Sequence, residues 1–350
     1  GDNGTNQGIN LTTSSHVAAL EFKTQGSGTI TLETGGFGSS QVANIAVGKL
    51  TTSGGVVSLA AKNSNSQIIM PAGAQIASGG GNITLQADNM SFTGGTTPSI
   101  FAGNGEVWLR PTAASVVLGQ GANDANGILG LTESELRTIT TTTNGSLKIG
   151  KDGVTGSMTV SGPLDLTGSG LAGNLILDGF YSNLNVNAPL KAPGTLVLST
   201  GPVGTITQTS DGIISATALK ANSDSVTLNA ADNLVGVIAG SASAGDFTFR
   251  TINPLTVSVV DLHPGVSATG NVLLNSTSTA GVNQNNYFSS AIITATGLAV
   301  DAAGPVNLNN TSNSIGSVAA SVTGTGGINL RSSTDLAISS VLGINGVTTT

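Results

Sequence analysis

The chain has 350 residues, of which 50 are glycine, 38% are hydrophobic and 8% are charged, and its formal net charge is −7. The 11 basic residues form no run and aromatic residues make up only 3%, which argues against a surface that binds nucleic acid. The absence of any stretch of about 18 apolar residues excludes a transmembrane helix, and the polar start from Gly1 to Asn10 lacks the apolar segment of a secretory signal peptide.

Pairs of apolar residues two positions apart recur along the sequence, usually just after a small, polar or turn-forming residue. The pairs are Ile30/Leu32, Val57/Leu59, Ile83/Leu85, Val107/Leu109, Leu147/Ile149, Leu175/Leu177, Leu196/Leu198, Val226/Leu228, Phe247/Phe249, Val272/Leu274, Val306/Leu308 and Ile328/Leu330. Eleven intervals lie between Ile30 and Ile328, so the mean repeat is about 27 residues, within the roughly 20–50 residues typical of a solenoid. In a solenoid each coil covers the apolar face of the next.

Each repeat contains a second and often a third short stretch with alternating apolar residues. After the pair Val226/Leu228, for example, come Leu234–Ile238 and then Phe247. Short strands of this kind, separated by Gly, Asn, Asp and Ser, are typical of a parallel β-helix. We therefore predict an all-β fold, in which residues 1–350 form a single β-helix solenoid of about twelve coils.

One interval, from Val107 to Leu147, is longer than all the others. We predict that residues 119–143 leave the rod and return, with a short helical turn near Thr132, which has capping-box spacing to Glu135. Glu133, Glu135 and Arg137 form the densest charge group of the chain and are a candidate contact loop, since loops on rigid scaffolds often carry function. The alternative is a solvated helical turn that covers the flank of the rod.

Two further features lie towards the end of the chain. The second-longest interval, between Val272 and Val306, predicts a smaller loop excursion at residues 281–290, which includes Tyr287 and Phe288. The stretch from Phe247 to Ala268 matches the stretch from Ile328 to Thr349 at a constant offset, which equals three mean repeats. The match stops in the middle of a motif, which predicts that the chain is a segment of a longer protein.

The residues that could carry chemistry are few and scattered. His16 and His263 are too few for most metal or acid–base sites, and no further ligands cluster near them in the sequence. Carboxylates about one repeat apart, such as Asp152 and Asp178, do not sit in consistent outward strand positions beside aromatic residues or arginine, although a glycosidase needs a pair of carboxylates. Trp108, the single tryptophan, should point outward between Val107 and Leu109. We therefore predict no catalytic, cofactor-binding or metal-binding residues, no cofactor and no enzymatic activity.

Several segments resemble a known family. Residues 130–139 and 145–150, together with 234–240 and 245–249, resemble filamentous-haemagglutinin-like exoproteins of Gram-negative bacteria. The resemblance implies a right-handed parallel β-helix that is secreted by the two-partner route through a dedicated outer-membrane transporter. It also implies long fibres, on the cell surface or released, that act in adhesion, biofilm formation or contact-dependent competition.

We accordingly expect a structural shaft segment of a secreted bacterial cell-surface fibre or adhesin. The expected partners are the outer-membrane secretion transporter, a host or neighbouring cell surface or its glycans, and other copies of the chain that associate end to end. Two alternatives stay open, a self-assembling extracellular filament subunit and a carbohydrate-active β-helix enzyme. An enzyme would need a groove lined by aligned carboxylates, whereas a smooth polar rod would count against it.

Overall fold

Short strands and Gly-, Ser- and Asn-containing turns wind the chain into parallel stacked coils. The structure, a computed structural model, describes residues 7–35, 41–93, 99–113, 115–150, 156–179, 181–201, 203–285, 287 and 290–350. Within them the fold is nearly all β, a β-solenoid of about 13 turns with a repeat of about 24 residues. The predicted fold class is therefore confirmed, but the repeat is shorter than the sequence spacing predicts. The chain divides into two compact units, unit 1 (Gly1–Asp178 and Ala192–Gly194) and unit 2 (Gly179–Lys191 and Thr195–Thr350).

Unit 1 contains eighteen of the described strands and one short helix. They are β1 (Ile9–Thr13), β2 (Val17–Lys23), β3 (Ile30–Thr34), β4 (Ile45–Thr51), β5 (Val57–Ala61), β6 (Gln67–Met70), β7 (Gln75–Ala77), β8 (Ile83–Gln86), β9 (Asn89–Phe92), β10 (Ile100–Gly103), β11 (Glu106–Arg110), β12 (Ser115–Leu118), β13 (Ile128–Leu131), α1 (Glu133–Leu136), β14 (Ile139–Thr141), β15 (Ser146–Gly150), β16 (Met158–Val160), β17 (Leu164–Asp165) and β18 (Asn174–Asp178).

Unit 2 contains the remaining described strands. They are β19 (Leu184–Val186), β20 (Leu190–Lys191), β21 (Thr195–Ser199), β22 (Thr205–Gln208), β23 (Ile214–Ser223), β24 (Ser225–Ala242), β25 (Phe247–Thr251), β26 (Leu255–Val257), β27 (Val259–Val260), β28 (His263–Pro264), β29 (Val266–Ala268), β30 (Asn271–Ser276), β31 (Val282–Gln284), β32 (Ile293–Ala302), β33 (Val306–Leu308), β34 (Ser314–Val322), β35 (Ile328–Leu330), β36 (Ala337–Ile338), β37 (Ser340–Val341), β38 (Ile344–Asn345) and β39 (Val347–Thr349).

In unit 1 the predicted apolar pairs stack directly on one another. β1, β3, β5, β8, β11, β15 and β18 form successive parallel pairs, and the pairs of this unit occupy matching positions in the register. Leu59, Leu85 and Leu109 are consecutive members of the stack and are fully buried. A second sheet has the order β14-β10-β7-β4-β6-β9, with β2 paired to β4, and β9 ends that order. The aliphatic core of the unit therefore consists of stacked inward side chains.

In unit 2 the apolar pairs belong to different ladders, which the sequence spacing does not reveal. Val272 pairs with Leu298, whereas Val306 belongs to another ladder with Val282 and Ile328. The predicted interval from Val272 to Val306 thus joins two different faces of the coil. Residues 282–284 of the predicted excursion at 281–290 form β31, and Phe288 lies outside the described residues.

The internal match found in the sequence recurs in the strands themselves. The antiparallel hairpin β27–β28 has its counterpart in the hairpin β37–β38, and β26 and β29 correspond to β36 and β39. Val341 of the second hairpin packs on Ala299 and Ala319, and the small size of these alanines lets the hairpin approach the outer side of the sheet. Ile338, in the last coil, is 69% exposed, whereas the corresponding Val257 is fully buried between neighbouring strands.

The predicted excursion at residues 119–143 contains both loop and solenoid strands. After β12 the chain forms a loop through residues 119–127, and β13 then returns to pair in parallel with β12. Thr132 caps the four-residue helix α1 with the capping box that its spacing to Glu135 predicts, so that prediction is confirmed. β14 then joins the second sheet beside β10.

Candidate functional site

Four segments of unit 1 surround a cleft with a volume of about 900 Å³. Its walls are the end of β9, the loop before β13, the capped helix α1 and a glycine-containing turn after β17. The lining residues are Met90, Ser91, Phe92, Thr93, Ala122, Asn123, Asp124, Gly130, Thr132, Ser134, Glu135, Arg137, Gly168, Ser169 and Gly170. Two of the three predicted contact residues, Glu135 and Arg137, thus line a concave surface.

The Asp124 carboxylate connects two walls of the cleft. Oδ2 accepts a hydrogen bond of 3.0 Å from the backbone N–H of Met90, in the terminal strand β9, and Oδ1 accepts one of 2.9 Å from the backbone N–H of Gly130. Burial raises the pKa of Asp124 to about 6, against the lowering effect of these two bonds, and the nearby Glu135 carboxylate raises it further. The same group therefore holds the site together and titrates near neutral pH.

The loop approaches β13 so closely that only glycine fits at position 130. A Cβ atom at Gly130 would lie 2.2 Å from the backbone carbonyl carbon of Asn123. This contact brings Asp124 within hydrogen-bond distance of the N–H of Gly130. The position of the Asp124 carboxylate thus depends on the lack of a side chain at Gly130.

Glu133 and Arg137 attach the helical turn to the neighbouring coil. Arg137 Nε donates to Glu133 Oε1 over 2.8 Å, and Arg137 Nη2 donates to the backbone oxygen of Asp165 over 2.5 Å. Glu133 Oε2 accepts a bond of 2.9 Å from the backbone N–H of Asp165. The Glu133 and Arg137 side chains are both half-buried. Their contacts are those expected of a helical turn that covers the flank of the coils.

Glu135 has one carboxylate oxygen engaged and one open to the cleft. Oε2 accepts from the backbone N–H of Thr132 at 2.9 Å and from its hydroxyl at 2.8 Å. Among the residues that the structure describes, none donates to Oε1, and the Ser91 hydroxyl across the cleft has no partner either. These two groups can exchange hydrogen bonds with a bound molecule without breaking any contact of the fold.

The other residues considered from the sequence lie away from the cleft lining. Trp108 is half-buried on the outer side of β11 between the fully buried Val107 and Leu109, as the alternation predicts. Its indole N–H donates to the backbone oxygen of Gly150 over 2.7 Å, and the Lys148 ammonium lies 4.4 Å from its ring centre. Trp108 is thus occupied by structural contacts.

The two histidines belong to different units, His16 to unit 1 and His263 to unit 2. His16 Nδ1 accepts a hydrogen bond of 2.9 Å from the backbone N–H of Asn44. Burial lowers the pKa of His263, and the nearby Lys220 ammonium lowers it further, while a hydrogen bond involving the backbone of Gly240 opposes both effects. Across the described residues no three His, Cys, Asp or Glu side chains converge as metal ligands, and Asp152 lies outside those residues.

Asp124 is the candidate site residue that the sequence alone does not single out. It stands alone in the sequence, and its importance depends on Met90, which lies in an earlier coil. The available signal was the sequence Gly121-Ala122-Asn123-Asp124 inside the longest interval, where small residues and an acid precede a strand. Spacing alone does not connect that segment to β9.

Comparisons with known proteins give no further assignment. No family model matches the chain, and neither the search of curated proteins nor the search of solved structures finds a match. No helix in the described parts of the chain has the length and apolar character needed to cross a bilayer. The resemblance to filamentous-haemagglutinin-like exoproteins therefore stays a prediction.

Proposed function

We propose that this chain is a structural shaft segment of a secreted bacterial cell-surface fibre or adhesin. The observation that carries the proposal is the parallel, in-register pairing of successive coils around fully buried aliphatic stacks, such as Leu59, Leu85 and Leu109. A stack of this kind lengthens by adding coils and needs no globular centre. The chain has no cysteine, so it builds this core without disulfides.

The outer face of the coils supports an adhesive role. In unit 1, Ser58 and Thr84 occupy consecutive outward positions of one ladder, and Asn82 Oδ1 accepts the backbone N–H of Glu106 in the next coil over 2.9 Å. Rows of hydroxyl and amide groups suit weak, repeated contacts with a host or neighbouring cell surface, whose affinity increases with the number of contacts. The proposed partners also include an outer-membrane secretion transporter and other copies of the chain.

Surface labelling of the native organism tests this proposal. Antibodies raised against the purified chain should label intact cells, and external protease should remove the label. Deletion of an adjacent outer-membrane transporter gene should abolish the label while the protein persists inside the cell. A chain found only in the cytoplasm of intact cells, in the presence of that transporter, would contradict the proposal.

A carbohydrate-active enzyme is the second candidate, and the cleft supports it. Asp124 and Glu135 line the same cavity, and the pKa of Asp124 is raised to about 6, a value suited to an acid catalyst near neutral pH. Incubation of the chain with oligosaccharides, followed by measurement of new reducing ends, tests this candidate. Hydrolysis that Glu135→Gln abolishes would favour the enzyme over the shaft, and no release of reducing ends would exclude it for those substrates.

A further inference from the structure

We propose that the cleft between β9 and α1 binds a neutral saccharide unit through its hydroxyl groups. The inference rests on the proposed adhesive function and deepens it, because it assigns a ligand class to one location on the solenoid. It is carried by the cavity, by its open polar groups and by the arrangement of its charges.

Contacts within the chain itself hold the cleft in shape. The capping box fixes Glu135, the contacts of Glu133 and Arg137 with Asp165 hold the turn against the next coil, and Asp124 joins β9 to β13. Its volume of about 900 Å³ lies within the roughly 300–1,000 Å³ of small-molecule sites. A ligand thus meets an ordered site and does not have to order one on binding.

The open groups of the lining match hydroxyl groups. Glu135 Oε1 accepts hydrogen bonds, and the Ser91 hydroxyl both donates and accepts them. The Ser134 hydroxyl lies 3.0 Å from Thr132 Oγ1 and keeps part of its hydrogen-bonding capacity for a ligand. A sugar ring presents adjacent hydroxyls that donate to a carboxylate and accept from hydroxyl groups. Met90, Phe92 and Ala122 add apolar atoms to the lining, against which the C–H groups of a ring would pack.

The charges of the lining select against an anionic ligand. Asp124 and Glu135 are both acidic, and the guanidinium of Arg137 is already bound to the Glu133 carboxylate and the Asp165 carbonyl oxygen. A phosphate, sulfate or sialic acid would meet two carboxylates, and the Arg137 guanidinium, the one cation of the described lining, is already shared with Glu133 and Asp165. The Arg137 charge also partly neutralises the site, which makes a strongly cationic ligand a poorer match than a neutral one.

Isothermal titration calorimetry with the full chain tests the assignment. The probes are maltotriose, cellotriose, mannotriose and triacetylchitotriose as neutral saccharides, with sialyllactose as the anionic probe and spermidine as the cationic probe. At least one neutral trisaccharide should bind at millimolar concentration or below, and sialyllactose should not. Binding of spermidine alone, or of no neutral saccharide, would overturn the proposal while leaving the surface-labelling result of the shaft proposal unaffected.

Three variants locate the site. Glu135→Gln keeps a side-chain oxygen for the capping box but removes the charge, so affinity should fall roughly tenfold, as for one hydrogen bond to a charged group. Ser134→Trp, on the exposed side of α1, should fill the opening and abolish binding. Glu106→Gln makes the same chemical change on β11, outside the cleft, and should bind like the original chain. Unchanged binding in both cleft variants, with circular dichroism confirming their fold, would place the ligand elsewhere and reject the assignment.

Discussion

Two buried amide pairs show how single residues hold neighbouring coils of unit 2 together. Asn233 is fully buried, and its Oδ1 accepts from Gln208 Nε2 at 2.6 Å and from the backbone N–H of Ile214 at 2.9 Å. Its Nδ2 donates to the backbone oxygens of Leu228 at 3.1 Å and Arg250 at 2.9 Å. One side chain therefore satisfies backbone groups from three separate strands.

The same arrangement recurs farther along the chain. Asn313 Oδ1 accepts from Gln284 Nε2 at 2.7 Å and from the backbone N–H of Ile293 at 2.8 Å. Asn313 Nδ2 donates to the backbone oxygens of Leu308 and Arg331. The repeated set of partners indicates that these amides stabilise one defined register between coils, because any slip would leave buried polar groups unpaired.

Replacement of the first amide tests this interpretation. Asn233→Ala leaves the Gln208 amide and the backbone groups of Ile214, Leu228 and Arg250 without their partner, so the free energy of unfolding should fall by about 3 kcal/mol. Urea denaturation measures this change. Asn187→Ala, at an exposed position of the same unit, is the matched control and should change stability by less than about 0.5 kcal/mol. Equal effects of the two substitutions would contradict the role given to Asn233.

Asp124 predicts a pH dependence with a definite sign. Because burial raises its pKa from 3.8 to about 6, the folded protein binds the proton more tightly than the unfolded chain does. The protonated Asp124 side chain therefore stabilises the folded state. This stabilisation is fully present below pH 3.8, the pKa of Asp124 in the unfolded chain, and is lost as the pH rises through about 6, its pKa in the folded protein.

Comparison of the original chain with Asp124→Asn isolates this contribution. The difference in unfolding free energy, original minus variant, should fall between about pH 4 and pH 7 by on the order of 1 kcal/mol, less than the full linkage value because solvent screens a half-buried carboxylate. Urea denaturation over pH 3–8 gives the difference. If it is constant over that range, the pKa of Asp124 is not raised.

At the scale of elements, the two corresponding hairpins β27–β28 and β37–β38 differ in the backbone strain of their turns. The turn of β27–β28 places Asp261 and Leu262 at φ values of 45° and 61°, while the turn of β37–β38 has Leu342 at 47° and Gly343 at 84°. Two-residue turns with both central residues at positive φ favour Asn-Gly and similar pairs. Leu262, which is 94% exposed, therefore occupies a position where glycine is preferred and gains no packing in return.

Exchange of these residues between the hairpins is a paired test. Leu262→Gly should raise the free energy of unfolding by about 1 kcal/mol, because it relieves a left-handed conformation that a branched side chain tolerates poorly. Gly343→Leu should lower it by a similar amount. Thermal unfolding measures both changes, and a loss of stability in Leu262→Gly would show that the leucine makes a contact that outweighs its strain.

The predictability of the elements depends on how local their determinants are. The short helix α1 follows from Thr132 and Glu135, which are close in the sequence and form the capping box. The cleft beside α1 does not follow from local sequence, because Met90, Asp124 and Ser169 come from three segments that lie far apart along the chain. Sequence spacing identifies an element when its contacts are local, whereas a site needs the register between coils.

At the scale of the whole molecule, stability comes from side chains that stack in the same position of successive coils. Leu85 pairs in register with Leu59 on one side and Leu109 on the other, and all three are fully buried. Charged residues are only 8% of the chain, so burial of aliphatic surface is the main stabilising term.

Truncation within this stack tests its contribution. Leu85→Ala should lower the free energy of unfolding by about 3 kcal/mol, because it opens a cavity between two fixed neighbours. Thr84→Ala, on the outer face of the same strand, should change it by less than about 0.5 kcal/mol. Urea denaturation provides both values. If Leu85→Ala changed the free energy of unfolding only slightly, the coils would have to collapse into the cavity. That outcome would contradict a rigid stack of buried side chains.

By itself the sequence determined the all-β coil architecture, the internal match between the two hairpin regions and the capped turn, because alternation of apolar residues and capping are read from neighbours in the chain. It overestimated the repeat, which is about 24 residues in the structure. The reason is that several faces of each coil carry the same alternating pattern, and Val272 cannot be assigned to Leu298 by spacing alone. Only the tertiary structure decided which strands pair and which loop meets β9. The cleft and its acidic pair depend on that pairing, since Asp124 reaches Met90 through space and not along the chain.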